Sequence, residues 1–475
     1  MEHIVTLMVD GCKVGECVVE ASHSGWDRDL AEAVQEATKE AVVTVLERED
    51  EALRQGVASG WENLGKERRQ LLTLAGKVEI RRRVYRDERG RRRKPLDEVL
   101  GLVPYRHETE GFKLMGAYLA TRGTYRDAAE LMSWMFGERV TRTRVQRLVW
   151  EVGEALREGE GKEREAVFGR GAEVAAGKVS TEILYGEMDG VYISLQRERK
   201  KRVEVRVGIL YTGREKIGVG RYRLTDKLCV TEIVKDSEEW QEKLLLRAWQ
   251  FYDLEQVRLL VLGGDGGRWV RHSVDRFAIW TVYQLDRFHL FRAARRAGPG
   301  MVPLVRRCCE EGLAAVAEAI ETELRKRRGK AREKVGKLYR YMQQNVDGLV
   351  DYRLRLGLSK EEHPGLGAIE GNVDKLVVQR MKGRGKSWRL PGARAMLALC
   401  RHRQELAQLA LRLPRPEPGA APPHRQKRRP QDHGSWLQVP VPALHSSAQN
   451  RPWARYLRSV AHGEPSPLSE VPRSP

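Results

Sequence analysis

The chain has 475 residues, with 86 Lys and Arg against 66 Asp and Glu and a formal net charge of +20. This length provides for two to four domains with substantial cores. The basic excess suits a polyanionic partner such as nucleic acid, the alternative being a basic soluble protein with solvated arginines. The six cysteines form no CxxC pair, which argues against a zinc ribbon or a disulfide framework. Without a secretory leader or a long apolar run, neither secretion nor membrane insertion is expected.

Residues 1–66 form the first predicted region. Ile4, Thr6 and Met8 alternate as in a strand, and apolar residues at three- and four-residue steps predict a helix from Trp26 to Leu53. We expect this N-terminal helical region to have a structural or pairing role.

Residues 67–165 form the predicted DNA-binding region, which begins with a basic β-hairpin. Residues 72–80 alternate like a strand, and residues 81–94 carry nine Lys or Arg against two acids around the turn-forming segment 87–90. Phosphate contact and simple solvation are the two interpretations of this charge. The residues expected to contact DNA here are Arg81, Arg82, Arg83, Arg91, Arg92, Arg93 and Lys94.

Two helices are predicted in the same region on either side of Gly137, over residues 125–135 and 141–150. Thr141 is a suitable N-cap for the second of them. The layout is that of a helix-turn-helix, whose second helix lies in the major groove, although many αα-hairpins share it without binding DNA. The expected DNA contacts on the second helix are Arg142, Arg144 and Arg147.

The remaining chain predicts an α/β domain over residues 175–412 and a disordered, proline-rich tail over residues 413–475. The predicted strands cover residues 183–195, 203–211, 220–224, 257–262 and 277–285, with a helix at 239–251 before the fourth strand. This order indicates a mixed sheet whose antiparallel meander comes first. Helices are then predicted over residues 313–324, 332–349, 369–381 and 392–411.

Three acidic residues lie at separate points of this domain. Asp189 is on its first strand, Asp265 ends the strand after the first crossover helix, and Glu370 lies near the start of a later helix. Phosphoryl transfer by two metal ions requires carboxylates that converge from separate elements. Each acid also has a structural interpretation, as a turn residue for the two aspartates and as a complement to the helix dipole for the glutamate.

Four motifs carry a resemblance to a known family: Glu187-Met-Asp-Gly, Gly263-Gly-Asp-Gly-Gly-Arg-Trp, Leu285-Asp-Arg-Phe-His-Leu and Arg380-Met-Lys-Gly-Arg-Gly-Lys-Ser-Trp. Over roughly residues 65–410, the chain resembles the ISLre-type insertion-sequence transposases of bacteria. These are distant relatives of the Mutator-like group and are also grouped as a family of uncharacterised proteins. After Leu413 the chain departs from the family's pattern.

The resemblance implies an RNase H-like catalytic domain with a helical insertion at about residues 300–362. It implies a DDE triad of Asp189, Asp265 and Glu370 that binds two Mg²⁺ or Mn²⁺ ions. Asp286 and His289 match an auxiliary motif near the active site, and a hydrogen-bonded structural pair is the other interpretation of these two residues.

A basic loop follows the proposed catalytic helix. Lys382, Arg384 and Lys386 lie in this glycine-containing loop, where we expect them to hold the phosphate backbone near the scissile bond. Trp388 either stacks on a splayed base or anchors the loop in the core.

These features predict a cytoplasmic, nucleoid-associated transposase that binds double-stranded element ends and target DNA as a homodimer or larger assembly. It would cleave and join strands with metal ions. The alternatives are a non-catalytic DNA-binding protein derived from a decayed transposase and a metal-dependent nuclease that cuts without joining.

Overall fold

The computed structural model describes residues 2–9, 12–20, 26–274, 279–383 and 385–411. The predicted proline-rich tail lies outside the described residues, and so does Arg384. None of the helices within the described ranges has both the length and the apolar character that a bilayer-spanning helix requires.

The N-terminal region is a β-hairpin that packs against a long helix. Strand β1 (Glu2–Val9) pairs antiparallel with β2 (Cys12–Glu20), and α1 (Trp26–Leu53) follows. The predicted strand and the predicted helix are confirmed, and the second strand was not predicted. Helix α1 also packs along the next sheet, so it joins two parts of the structure.

The basic region is a three-stranded antiparallel sheet of β3 (Glu62–Thr73), β4 (Gly76–Arg86) and β5 (Arg92–Arg93), followed by α2 (Pro95–Val99). The prediction of one strand over 72–80 is wrong, because a tight turn before Gly76, at φ +113°, separates β3 from β4. The predicted turn at 87–90 is confirmed. The Asp87 carboxylate accepts hydrogen bonds from the backbone N–H groups of Arg89 and Arg91 there.

Three helices follow: α3 (Glu110–Arg122), α4 (Tyr125–Phe136) and α5 (Arg142–Arg164). The predicted pair around Gly137 is confirmed as α4 and α5. The Thr124 hydroxyl and the Asp127 carboxylate form a capping box on α4, and the Thr141 hydroxyl accepts from the backbone N–H of Arg144 at 3.2 Å on α5. Helix α5 ends in a π turn, Glu165–Gly169.

The next elements in the chain include the strands of a mixed five-stranded sheet, a separate two-stranded hairpin and two helices. They are β6 (Ile183–Ser194), β7 (Arg202–Tyr211), β8 (Gly213–Gly218), β9 (Arg221–Thr225), β10 (Leu228–Glu232), α6 (Ser237–Phe251), β11 (Leu259–Gly264), α7 (Arg268–Val274) and β12 (Trp280–Leu285). The strand order is β10–β7–β6–β11–β12. Strand β7 runs antiparallel to β6 and β10, whereas β11 runs parallel to β6 and β12.

The predicted meander is right in its first two strands and wrong in its third. The predicted strand at 220–224 forms as β9, but it pairs with β8 in a separate two-stranded hairpin. The third strand of the sheet is β10, which was not predicted because its five residues are too few to show a clear period. The β8–β9 hairpin therefore projects from the connection between β7 and β10.

Helices make up the rest of the described chain. They are α8 (Arg287–Ala297), α9 (Met301–Glu311), α10 (Ala317–Lys326), α11 (Gly329–Gln344), α12 (Tyr352–Leu356), α13 (Ile369–Val373), α14 (Gln379–Met381), α15 (Leu390–Arg401) and α16 (Arg403–Leu411). A π turn, Asp374–Val378, makes α13 and α14 one continuous helix. Helices α9 to α12 lie where the helical insertion was predicted. The single last helix that was predicted is interrupted at His402.

Helix α15 packs against α5 and joins the helical region to the sheet. A Cβ atom added at Gly153 would lie 2.6 Å from the Ala395 carbonyl oxygen, so only glycine permits this close approach of the two helices. One continuous apolar core includes Leu148 of α5, Val205 of β7 and Leu397 of α15. The predicted domain boundaries stay predictions.

A half-buried ion cluster stabilises the same junction. Arg401 Nε donates to Glu160 Oε1 at 3.0 Å, and His402 Nε2 lies 2.7 Å from the same oxygen. Burial disfavours the Glu160 carboxylate, but the Arg401 and His402 cations outweigh it and lower the pKa of Glu160 from 4.5 to about 2. Burial likewise opposes the charged form of His402, yet hydrogen bonds with Glu160 and Glu405 raise the pKa of this imidazole.

Glu160→Gln is expected to lower the free energy of unfolding at pH 7 by about 3 kcal/mol, the value that corresponds to the pKa shift from 4.5 to about 2. Because the folded-state pKa is depressed, this stabilisation is complete above the unfolded value and is lost as the pH falls toward the folded value. Urea unfolding at pH 7 and at acidic pH measures the effect. The wild type should lose stability more steeply than the variant on acidification, and equal pH slopes would contradict the assignment.

Candidate active site

Three acidic residues lie at the same level of three neighbouring parallel strands. Gly264 of β11 is in register with Met188 of β6 and with Leu285 of β12. The next residue of each strand or strand end is an aspartate, namely Asp189, Asp265 and Asp286. Parallel pairing therefore brings together acids that are far apart in the sequence.

A compact group of possible metal ligands forms at this level of the sheet. Ligand atoms of Asp189, His289 and Glu370 all lie within 4.8 Å of one another. Asp189 comes from β6, His289 from the first turn of α8 and Glu370 from the first turn of α13. Two members of the predicted triad thus meet, and the predicted auxiliary histidine lies with them.

The predicted auxiliary pair is hydrogen-bonded. Asp286 Oδ2 lies 2.9 Å from His289 Nδ1, while Asp286 Oδ1 accepts from the backbone N–H of Phe288 at 2.8 Å and caps α8. His289 Nε2 then faces Glu370, 3.7 Å from its Oε1. Asp286 therefore orients the imidazole toward the acid cluster.

Asp265 lies beside this group rather than within it, as far as the described residues show. Its Oδ1 accepts from the backbone N–H of Gly267 at 2.8 Å, and its carbonyl oxygen accepts from the Tyr341 hydroxyl at 2.7 Å. Gly266 has φ +89°, and a Cβ atom there would lie 2.5 Å from Asn345 Oδ1. The glycines around Asp265 thus permit a tight loop beside the insertion.

The electrostatics of the cluster favour a cation. Burial raises the pKa of Asp189 to about 6, with the charges of Glu370 and Asp265 adding to the rise and His289 opposing it. The hydrogen bond with Asp286 raises the pKa of His289, against the effect of burial. Several carboxylates that repel one another in a half-buried site form the kind of oxygen-rich donor set that divalent cations bind.

Glu187 is a functional candidate that we did not predict, although it is part of one quoted motif. Its buried carboxylate accepts hydrogen bonds from the backbone N–H groups of Gly367, Ala368 and Ile369 at 2.8, 3.1 and 3.2 Å. It also accepts from the Tyr211 hydroxyl at 2.8 Å. Glu187 therefore holds the loop and first residue of the helix that carries Glu370.

A sequence signal for Glu187 did exist. Residues two apart on a strand point to the same face, so Glu187 shares a face with Asp189. The neighbouring residues of β6 are buried, and a charged residue in a buried strand requires partners. Burial raises the pKa of Glu187, while its four donors act in the opposite direction.

The basic hairpin contains buried as well as exposed arginines. Arg82 Nε donates to Asp97 of α2 at 2.8 Å, and Arg83 Nη1 donates to Asp50 of α1 at 2.8 Å. Both guanidinium groups are buried in these pairs, so they stabilise the fold instead of presenting charge to a partner. Arg82 and Arg83 were predicted to contact DNA, but they are buried because α1 and α2 cover β4.

The other predicted cations of the hairpin lie at the surface or are half-buried. Arg81, Arg91 and Arg92 are exposed, while Arg93 and Lys94 are half-buried. Several of them pair with carboxylates: Arg91 with Asp87, Arg92 and Lys94 with Glu67, and Arg93 with Glu98. Part of the positive charge of the hairpin is thus neutralised within the molecule.

On α5, Arg142 is exposed at the N-terminus. Arg144 and Arg147 both contact the buried carboxylate of Glu108, Arg144 at 3.2 Å. They connect α5 to the segment before α3. Of the three arginines predicted to contact DNA on this helix, Arg142 is exposed, whereas Arg144 and Arg147 are half-buried.

The loop after α14 is anchored by Trp388. Its indole N–H donates to the Met381 carbonyl oxygen at 2.9 Å, and the Arg380 guanidinium lies 5.0 Å from the Trp388 ring centroid and 5.1 Å from that of Tyr125. Of the two interpretations of Trp388, anchoring agrees with this geometry. Lys382 is exposed, and Lys386 donates to the Gln379 carbonyl oxygen at 2.9 Å.

This fold and site define a mixed α/β protein with an acidic cluster at the centre of its sheet. The chain belongs to the Uncharacterised protein family (UPF0236), whose model matches residues 25–409. A relative from Streptococcus gallolyticus, the UPF0236 protein in vanSb 3'region, is 24% identical over 402 residues, covering 82% of this chain and 84% of the relative.

The chain is also similar to a chain of the Drosophila P element transposase strand transfer complex. The similarity has 10% sequence identity and a TM-score of 0.23, and it covers 66% of this chain and 84% of that one.

Proposed function

We propose that this chain is a DNA transposase whose acid cluster catalyses strand cleavage and strand transfer. The observation that carries the proposal is the convergence of Asp189, Glu370 and His289, with Asp265 beside them. The sheet order β10–β7–β6–β11–β12, with β7 antiparallel, supports an RNase H-like catalytic core. In such a core, the first and fourth strands lie side by side and present two aspartates. Here these strands are β6 and β11, with Asp189 on β6 and Asp265 directly after β11.

The donor set suits Mg²⁺ or Mn²⁺. Asp189, Asp265 and Glu370 would hold two ions, which supply activation of the attacking oxygen and stabilisation of the leaving oxygen. An imidazole beside carboxylates is also compatible with Mn²⁺. Asp286 holds the His289 imidazole with its Nε2 toward Glu370, and Glu187 keeps the Glu370 helix in place.

The DNA-binding surface that we propose consists of exposed cations outside the acid cluster. It includes Arg81, Arg91 and Arg92 on the hairpin, Arg142 on α5 and Lys382 after α14. The net charge of +20 supports a long-range attraction to DNA. A transposase acts on two element ends at once, so we propose a homodimer or larger assembly, located in the cytoplasm at the nucleoid.

The test uses a plasmid that carries the coding region with its own flanking DNA. The purified chain is incubated with this plasmid in Mg²⁺, Mn²⁺ or EDTA, and nicked and joined products are sequenced. We expect metal-dependent cuts at the borders of inverted repeats, followed by joining of the freed 3′ ends to target DNA. Cutting without joining would indicate a nuclease, and binding without cutting would indicate a non-catalytic DNA-binding protein.

A further inference from the structure

A basic cavity of about 890 Å³ lies between the β8–β9 hairpin and the loop before α13. Five cationic side chains line it: Arg214, Arg221, Arg223, Lys227 and Lys375, of which Arg223 also pairs with Glu215 at 2.8 Å. No aspartate or glutamate is among its lining residues in the part of the chain that the structure describes. Such a cavity favours an anionic ligand that is large enough to contact several cations at once.

The cavity adjoins the acid cluster. Ala368 and Gly371 line it and lie within two residues of Glu370 on either side. Lys227 Nζ donates to Asn372 Oδ1 at 3.0 Å, which connects the base of the hairpin to the helix that carries Glu370. A polyanion bound in the cavity would therefore pass next to the candidate catalytic residues.

The β8–β9 hairpin beside the cavity has a hydrogen-bonded base and an apolar tip. At the base, the Thr212 N–H donates to the Thr225 carbonyl oxygen at 3.2 Å. Toward the tip, Ile217 is 51% and Val219 is 98% exposed. The apolar tip thus stands in solvent, where it contributes little to the core.

Tyr222 offers an aromatic surface on the same hairpin. It is 52% exposed, it lines the cavity, and the Arg214 guanidinium lies 4.8 Å from its ring centroid. Aromatic rings interleaved with cations are typical of sites for single-stranded nucleic acid, where bases stack and phosphates pair with cations. A single exposed apolar residue needs no explanation, but apolar tip, aromatic ring and five cations occur together here.

We propose that the β8–β9 hairpin separates DNA strands beside the acid cluster and that the basic cavity receives one of the separated strands. Ile217 and Val219 enter between base pairs, and a freed base stacks on Tyr222. The cost of unstacking base pairs is offset by the stacking of the freed base on the aromatic ring and by the phosphate contacts. The inference rests on the DNA-binding part of the proposed function and not on its catalytic part.

The experiment measures DNA binding in EDTA, where no cleavage interferes. Fluorescence anisotropy compares a blunt duplex with a forked duplex of the same sequence that has unpaired ends. We expect the wild type to bind the fork about tenfold more tightly, which corresponds to one stacked base. The Arg221→Glu/Lys375→Glu variant should lose this preference. The matched control is Arg325→Glu/Lys326→Glu, which makes the same charge change at exposed residues of α10.

The tip is tested with 2-aminopurine placed at the end of the blunt duplex. The wild type should raise the fluorescence of this base by unstacking it, whereas Ile217→Ser/Val219→Ser should not, although this variant still binds the fork. Equal wild-type affinity for fork and blunt duplex, or a tip variant that raises the fluorescence as much as the wild type does, overturns the inference. Fork preference without cleavage in Mg²⁺ would refute only the catalytic proposal, and cleavage without fork preference would refute only the inference.

Discussion

Asp189→Asn is expected to abolish metal-dependent DNA cleavage, with a decrease of about a thousandfold or more. The substitution removes the charge of a buried carboxylate that lies within 4.8 Å of ligand atoms of both His289 and Glu370. Asparagine has nearly the same shape, so the fold and the affinity for DNA in EDTA should be retained. Cleavage of the plasmid with native flanks measures the first effect, and fluorescence anisotropy of DNA binding in EDTA measures the second.

Glu370→Gln and Asp265→Asn are expected to act in the same direction. Asp374→Asn is the matched control, because Asp374 lies one turn after Glu370, is exposed and accepts a hydrogen bond from Gln379 at 2.8 Å. It should cleave like the wild type. Wild-type cleavage by Asp189→Asn, with the fold intact, would remove the acid cluster from the mechanism.

Glu187→Ala is expected to lower the free energy of unfolding by about 3–5 kcal/mol and to abolish cleavage. The change leaves three backbone N–H groups and the Tyr211 hydroxyl without their buried acceptor. An unsatisfied buried polar group costs about 1–3 kcal/mol, although local relaxation recovers part of the sum. Urea unfolding measures the loss of stability.

Glu187→Gln separates positioning from overall stability. The amide oxygen still accepts hydrogen bonds, but its NH₂ group faces donors, so we expect a folded variant with a smaller loss of stability. Its affinity for Mn²⁺ and its cleavage rate should fall by about 10–100-fold, as for residues that orient metal ligands. Tyr211→Phe removes one donor and keeps the carboxylate, so it should retain activity. A folded Glu187→Gln variant with normal cleavage and Mn²⁺ affinity would limit Glu187 to a structural role.

The acid cluster is the part of the site that the sequence could predict. Asp265 follows an apolar run and lies between glycines, and Asp286 with His289 follows the next apolar run. Parallel strands end at the same edge of a sheet, so local patterns were enough to expect these residues near one another. The role of Glu187 could not be predicted in this way, because its backbone partners lie 180–182 residues further along the chain.

For the basic hairpin, the sequence predicts the charge but not the exposure of each arginine. Composition predicts positive charge over residues 81–94, but it does not tell which guanidinium groups remain exposed. Arg82 is paired with Asp97 and Arg83 with Asp50, because α2 and α1 bring these acids to β4. Likewise, the β9 segment was recognised as a strand, but its partner is β8 rather than the central sheet.

The sequence by itself determined the strands and helices with clear hydrophobic periods, the helix cap at Thr141, and the acids that follow buried strands. These depend on neighbours a few residues apart, and their physical causes are local. Only the tertiary structure decided which strands pair, which arginines are neutralised by acids, and which buried carboxylate holds the Glu370 helix. Those outcomes depend on contacts between distant segments, whose free energies arise from burial and charge pairing after the chain has folded.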